Sequence, residues 1–132
     1  MRCPSVPATG KAEHAFGSVK LPWWFMTGTK DVARIGTMTI DGDFDSRLGV
    51  YPALPLGDKY ELVLHEAEHG VFGERALPDE GRQQNPNHRR AILALSTAFW
   101  DAFLKGDAEA KAWLNGGGAR SVLEKDDRWQ LK

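Results

Sequence analysis

Short blocks of consecutive apolar residues, and one long stretch with apolar residues every three or four positions, divide this chain into elements. Leu21-Pro22-Trp23-Trp24-Phe25-Met26 is bulky and apolar on successive positions. That is the pattern of a strand buried on both faces, as in parallel sheets covered by helices. Pro22 fits at its first position, because an interior proline removes a ladder hydrogen bond. Gly28 then breaks the strand and permits a sharp turn. Tyr60-Glu61-Leu62-Val63-Leu64 marks a second strand over 59–64, entered through the turn Leu56-Gly57-Asp58. Between the strands, 32–42 reads as a loop with an Asp41-Gly42 turn. Phe44, Leu48, Tyr51 and Ala53 have roughly helical spacing, which Pro52 and Pro55 limit to about two turns.

Residues 70–87 are rich in Gly, Pro, Asn and Asp and read as a long loop, usually functional or a surface crossover. The clearest helix runs from Asn87 to Lys105, with Ile92, Leu95, Phe99 and Phe103 on one apolar face. Asn85 or Asn87 supplies its N-cap, Pro86 suits the first turn, and Gly106 ends it. A shorter helix, Asp107 to Leu114, is capped by Asp107 and stops at Gly116-Gly117-Gly118. The tail, Ser121 to Lys132, adds a last turn carrying Leu123 and Trp129.

The order is strand, helix, strand, long loop, two helices. It predicts an α/β fold with two parallel strands, flanking helices and an incomplete sheet, since an isolated parallel pair does not bury its faces. Residues 1–15 form an irregular N-terminal segment, and 16–132 read as the end of a larger α/β sheet. The 132 residues, 42% hydrophobic and 27% charged, suit a packed core. A net charge of −1 offers no general attraction for nucleic acid or an anionic membrane. The single cysteine, Cys3, has no disulfide or zinc-ribbon partner. No apolar run reaches the ~18 residues of a bilayer span, and the first residues lack a signal-peptide core. Neither observation fixes a compartment.

Candidate chemistry lies just after the two strands. Thr27-Gly28-Thr29-Lys30-Asp31 follows the first, and Ala67-Glu68-His69-Gly70 follows the second. Ligands of open α/β sheets bind at the carboxyl ends of the strands. An aspartate there can accept a hydrogen bond from Nδ1–H of a histidine, fixing the tautomer and leaving Nε2 as a base. The chain between Asp31 and His69 has room for one crossover helix and one strand. The expected geometry is parallel strands 21–26 and 59–64, with the Asp31 carboxylate within reach of His69 Nδ1.

Pro22 to Asp31 resembles the acid-bearing strand and loop of α/β-hydrolases, in particular the dienelactone-hydrolase and platelet-activating-factor-acetylhydrolase-like branch. Lys59 to Leu64 with Ala67 to Phe72 is similar to the last strand and histidine loop of that branch. Ser96 to Asp107, followed by Ala112-Trp113-Leu114, is similar to its C-terminal helix. The resemblance spans 16–132 and implies a C-terminal part of an α/β-hydrolase, with Asp31 as triad acid and His69 as triad base. It also implies a small-molecule carboxylic ester or lactone substrate in the complete enzyme, and no metal or organic cofactor. The nucleophile elbow Gly-x-Ser-x-Gly is missing: Ser18 has Phe16 and Lys20 at the glycine positions, and Ser5 has Cys3 and Pro7. The partner implied is therefore the missing N-terminal part of the same fold, and the chain alone is expected to be inactive.

Two alternatives belong to other classes. His65-Glu66-Ala67-Glu68-His69 matches H-E-x-x-H of zinc metallopeptidases, which needs both histidines on one helical face. The β-like run before it and Gly70 after it disfavour a helix, and Glu74, Glu80 or His88 would have to serve as third ligand. A non-catalytic interaction module is suggested by five tryptophans, although Trp23, Trp24, Trp100 and Trp113 read as core. Arg82, Asn85, His88, Arg89 and Arg90 read as a solvated helix start; Arg89 and Arg90 oppose the helix dipole and suggest contacts to carboxylates elsewhere.

Overall fold

A computed structural model of the protein describes residues 11–32, 34–35, 38–39, 43–73 and 85–132. In chain order the elements are α1 (Ala12–Phe16), β1 (Trp23–Lys30), β2 (Arg34–Ile35), β3 (Met38–Thr39), α2 (Asp43–Leu48) and α3 (Val50–Ala53). They continue with β4 (Lys59–Glu68), a 3-10 turn (His69–Phe72), α4 (Pro86–Leu104), α5 (Ala108–Asn115), α6 (Gly117–Ser121) and β5 (Arg128–Leu131). The result is a mixed α/β fold around a small open sheet of order β1-β4-β5 among the described residues. β1 and β4 are parallel, with Trp23 opposite Lys59 and Gly28 opposite Leu64. β5 runs antiparallel to β4. Strands β2 and β3 form a separate small hairpin.

Helices cover both faces of the sheet. On one, Tyr60, Leu62 and Leu64 of β4 pack against Ala91, Leu95, Phe99 and Ala102 of α4 and Leu114 of α5. On the other, Phe25 of β1 packs with Val50, Tyr51 and Leu54, and Phe16 of α1 closes against Trp23. Burial on both faces explains why β1 and the first half of β4 lack polar-out alternation. Asn85 caps α4 by accepting from the Asn87 N–H, with Pro86 in the first turn. Asp107 caps α5, and Gly106 between them has φ +72°, which glycine tolerates without strain.

Several expectations are corrected. Gly28 does not end β1: the strand continues to Lys30, and Pro22 sits one residue before it. Part of the segment read as irregular is helical, α1; residues 1–10 lie outside the described residues. The hairpin β2–β3 falls within the 32–42 loop, whose Asp41-Gly42 turn is outside the described residues. The helix capped by Asp107 does stop at Gly116, as expected, but a further short helix, α6, begins at Gly117.

The largest correction is the tail. It ends not in a helical turn but in β5, which alternates Arg128 and Gln130 on one face with Trp129 and Leu131 on the other. Trp129 stacks on Tyr60 at 5.6 Å, and Arg128 and Gln130 donate to Glu61 Oε1 at 2.8 and 2.9 Å. Among the tryptophans read as core, Trp100 is instead 51% exposed. His88, read as part of a solvated helix start, is buried with neither ring nitrogen hydrogen-bonded.

Glu61 is a buried carboxyl at the centre of the sheet, and its Oε2 has no hydrogen-bond partner. Burial raises its pKa, and the charge and hydrogen bond of Arg128 offset that only in part. The folded chain therefore holds this proton more tightly than the unfolded chain does. By linkage, the stability this group contributes is full below the ordinary carboxylate range and is lost as pH rises through the raised folded value. In urea titrations from acid to neutral pH, Glu61→Gln is expected to remove this downward component. An unchanged slope in the variant would refute the assignment.

Candidate functional site: a buried carboxylate–imidazole pair

Asp31 leaves β1 at its carboxyl end. Its N–H donates to the Gly28 carbonyl at 3.0 Å, and the Val32 N–H closes onto the Lys30 carbonyl at 3.0 Å, so the turn is tied back onto the strand. The Asp31 side chain is fully buried. Its Oδ1 lies 2.8 Å from His69 Nδ1, and its Oδ2 accepts from Thr27 Oγ1 at 3.0 Å and Arg47 Nη1 at 2.7 Å. A buried carboxylate is costly unless paired and hydrogen-bonded, and here both oxygens are engaged. The guanidinium, itself almost fully buried, supplies the compensating charge.

His69 opens the 3-10 turn after β4, and its side chain is 48% exposed. The turn is anchored by Val71, which is buried in the α4-side core, and by Phe72 packed against it. The imidazole has one nitrogen held by Asp31, while Nε2 has no hydrogen-bond partner among the described residues. With Nδ1 protonated and donating to the carboxylate, Nε2 is an acceptor able to take a proton from a nearby group.

An irregularity in β4 brings the histidine over the aspartate. Between Gly28 and Lys30 of β1 the register jumps from Leu64 to Glu68, so β4 carries two extra residues there. Glu66 takes φ +59° in this bulge. The freed backbone donors are satisfied from outside the ladder: His65 N–H by Asp127 Oδ1 at 2.8 Å and Glu66 N–H by Thr29 Oγ1 at 2.7 Å. An exposed Lys30–Glu66 ion pair of 3.1 Å spans the same point. Ala67 then presses onto β1 so closely that a Cβ on Gly28 would stand 2.1 Å from the Ala67 carbonyl oxygen. Glycine at position 28 therefore serves a close backbone approach rather than a turn.

The structure thus brings together the two residues singled out from the sequence, Asp31 and His69, at the carboxyl ends of adjacent parallel strands. Two further members of the cluster were missed. Thr27 lies within the segment already noted but was given no role. Arg47 had a readable signal: it shares the inward helical face of Phe44 and Tyr51, where an arginine needs a buried anion. Of the candidate nucleophiles, Ser18 is exposed just after α1, and Ser5 lies outside the described residues.

The metallopeptidase alternative loses the helix it requires. His65 to Glu68 belong to strand β4 with its bulge, so His65 and His69 are not one helical turn apart on a shared face. Of the third ligands considered, His88 is a buried residue of the first turn of α4, and Glu74 and Glu80 lie outside the described residues, as does Arg82. Comparison with protein-family models, with curated proteins and with solved structures finds no match for this chain.

Proposed function

We propose that this chain is the C-terminal segment of a serine hydrolase acting on carboxylic esters or lactones, related to the dienelactone-hydrolase and platelet-activating-factor-acetylhydrolase-like α/β-hydrolases. Asp31 is its triad acid and His69 its triad base. The observation that carries this reading is the 2.8 Å contact between a fully buried carboxylate and Nδ1 of a half-exposed imidazole, each at the carboxyl end of its own parallel strand. In the mechanism, Asp31 holds the ring with Nδ1 protonated, and Nε2 accepts the serine proton as the hydroxyl oxygen attacks the acyl carbon. The imidazolium so formed is stabilised by the carboxylate and returns its proton to the leaving alkoxide. Arg47 and Thr27 are positioning residues that hold the Asp31 carboxylate in its buried orientation.

No serine of the chain lies in Gly-x-Ser-x-Gly, so the nucleophile and the oxyanion-hole donors are assigned to a separate segment of the same fold that adds to β1. The 132-residue chain is expected to hydrolyse short p-nitrophenyl esters no faster than its His69→Ala variant. Adding a segment with a serine elbow, fused upstream or mixed in, is expected to produce turnover that His69→Ala abolishes. Turnover that is indifferent to His69 would overturn the triad assignment. His69-dependent hydrolysis by the chain alone would overturn the assignment of the nucleophile to another segment, and Ser18→Ala would then be the first variant to assay.

A further inference from the structure

Helix α4 has a second apolar face that nothing in the described chain covers. Its buried face uses Ala91, Leu95, Phe99 and Ala102. On another side, Leu93, Thr97, Trp100 and Leu104 follow one another at steps of four, three and four residues, the seam spacing of paired helices. Leu93 is 69% exposed, Trp100 51% and Leu104 75%, and Thr97 is exposed as well. Past Leu93 the apolar surface continues into a groove of about 410 Å³ between α4 and α5, floored by Ala94, Ala98 and Trp113. A continuous patch of this kind marks an interaction surface rather than scattered exposed side chains.

The charges beside the stripe select the occupant. Arg89 and Arg90 stand exposed at the N-terminal end of α4, against its dipole; at the other end Lys105 is paired with Asp101, and Asp107 and Glu109 stand exposed just beyond. We propose that α4 packs antiparallel along α4 of a second copy of this chain. In the register that sets Leu93 against the second copy's Leu104, Thr97 faces the second copy's Trp100. Arg89 and Arg90 then stand by the C-terminal end of the second copy's α4, next to the turn that carries its Asp107. The layers alternate leucine on leucine with a small threonine under an indole, and each end closes on an opposite charge. A parallel pair would set Trp100 on Trp100 and Arg90 on Arg90. The inference uses the outer face of α4 only and is independent of the hydrolase reading.

Sedimentation equilibrium of the 132-residue chain tests it. The unmodified chain is expected to show twice the chain mass, falling toward the single-chain mass on dilution. Leu93→Lys and Leu104→Glu, both at exposed positions, are each expected to halve the mass while leaving the far-UV circular dichroism unchanged. An equimolar mixture of the two variants is expected to restore the doubled mass. In the mixed pair, one layer joins the introduced ammonium to the introduced carboxylate and the symmetric layer keeps its two leucines. A monomeric unmodified chain, a dimer indifferent to both substitutions (as one formed through the free edge of β1 would be), or a mixture that stays monomeric would each overturn the proposal.

Discussion

Alanine at position 28 is expected to force β1 and β4 apart at their carboxyl ends and to separate Asp31 from His69. The added methyl would stand 2.1 Å from the Ala67 carbonyl oxygen and 2.7 Å from its carbonyl carbon, and both obstacles are backbone. No side-chain rotation relieves such a contact, so the bulge between Leu64 and Glu68 must move, and His69 follows it directly. The loss of stability is expected at about 3 kcal/mol, the upper end of what overpacking costs. Gly73→Ala is the control. No atom of the described residues lies within 4 Å of a Cβ there, and its effect is expected within about 0.5 kcal/mol. Urea titration checks the energies. The Nδ1 proton of His69, followed by nuclear magnetic resonance, reports whether the contact with Asp31 survives. A Gly28→Ala chain as stable as the Gly73→Ala control would show that β4 yields at this point without cost.

Replacing Arg47 by methionine is expected to be comparably damaging for an electrostatic reason. The guanidinium lies 2.7 Å from Asp31 Oδ2 in a place where the carboxylate has no access to solvent. Removing one partner of a buried ion pair leaves the other charge uncompensated, at a cost of about 3–5 kcal/mol. Thr27→Val removes a neutral donor from the same oxygen and is expected to cost about 1 kcal/mol. If the charge is the cause, adding Asp31→Asn to Arg47→Met recovers a large part of the loss, and the pair of substitutions is strongly non-additive. Additive losses would mean that Arg47 acts through contacts other than the one with the Asp31 carboxylate.

The elements were legible where local chemistry determines them. The capped, periodic stretch from Asn85 to Gly106 folds as its spacing and end residues require, because a helix is closed by contacts within four residues. The consecutive apolar blocks before Asp31 and His69 form adjacent parallel strands, so two residues distant in sequence meet at one end of the sheet. A short parallel crossover permits little else. The tail was misread for the complementary reason. Arg128 to Leu131 is too short for a period to be distinctive, and it becomes a strand only through β4, where Trp129 finds Tyr60 and Arg128 finds Glu61.

The details of the site were likewise decided in three dimensions. Nothing within 64–68 signals two extra residues in β4. The bulge exists because Asp127 and Thr29, from other parts of the chain, satisfy the amides it withdraws from the ladder. Gly28 was readable as a special position but not as a point of contact, since the atom it makes room for belongs to Ala67 on the next strand. Arg47 was readable as an inward-facing charge but not as the counter-ion of Asp31, because its helix reaches the aspartate only after β1 and α2 have packed. Sequence by itself determined which residues could carry a carboxylate–imidazole pair. The tertiary structure determined that the carboxylate is buried and held by three donors, because burial and counter-charge arise only when separate segments exclude water together.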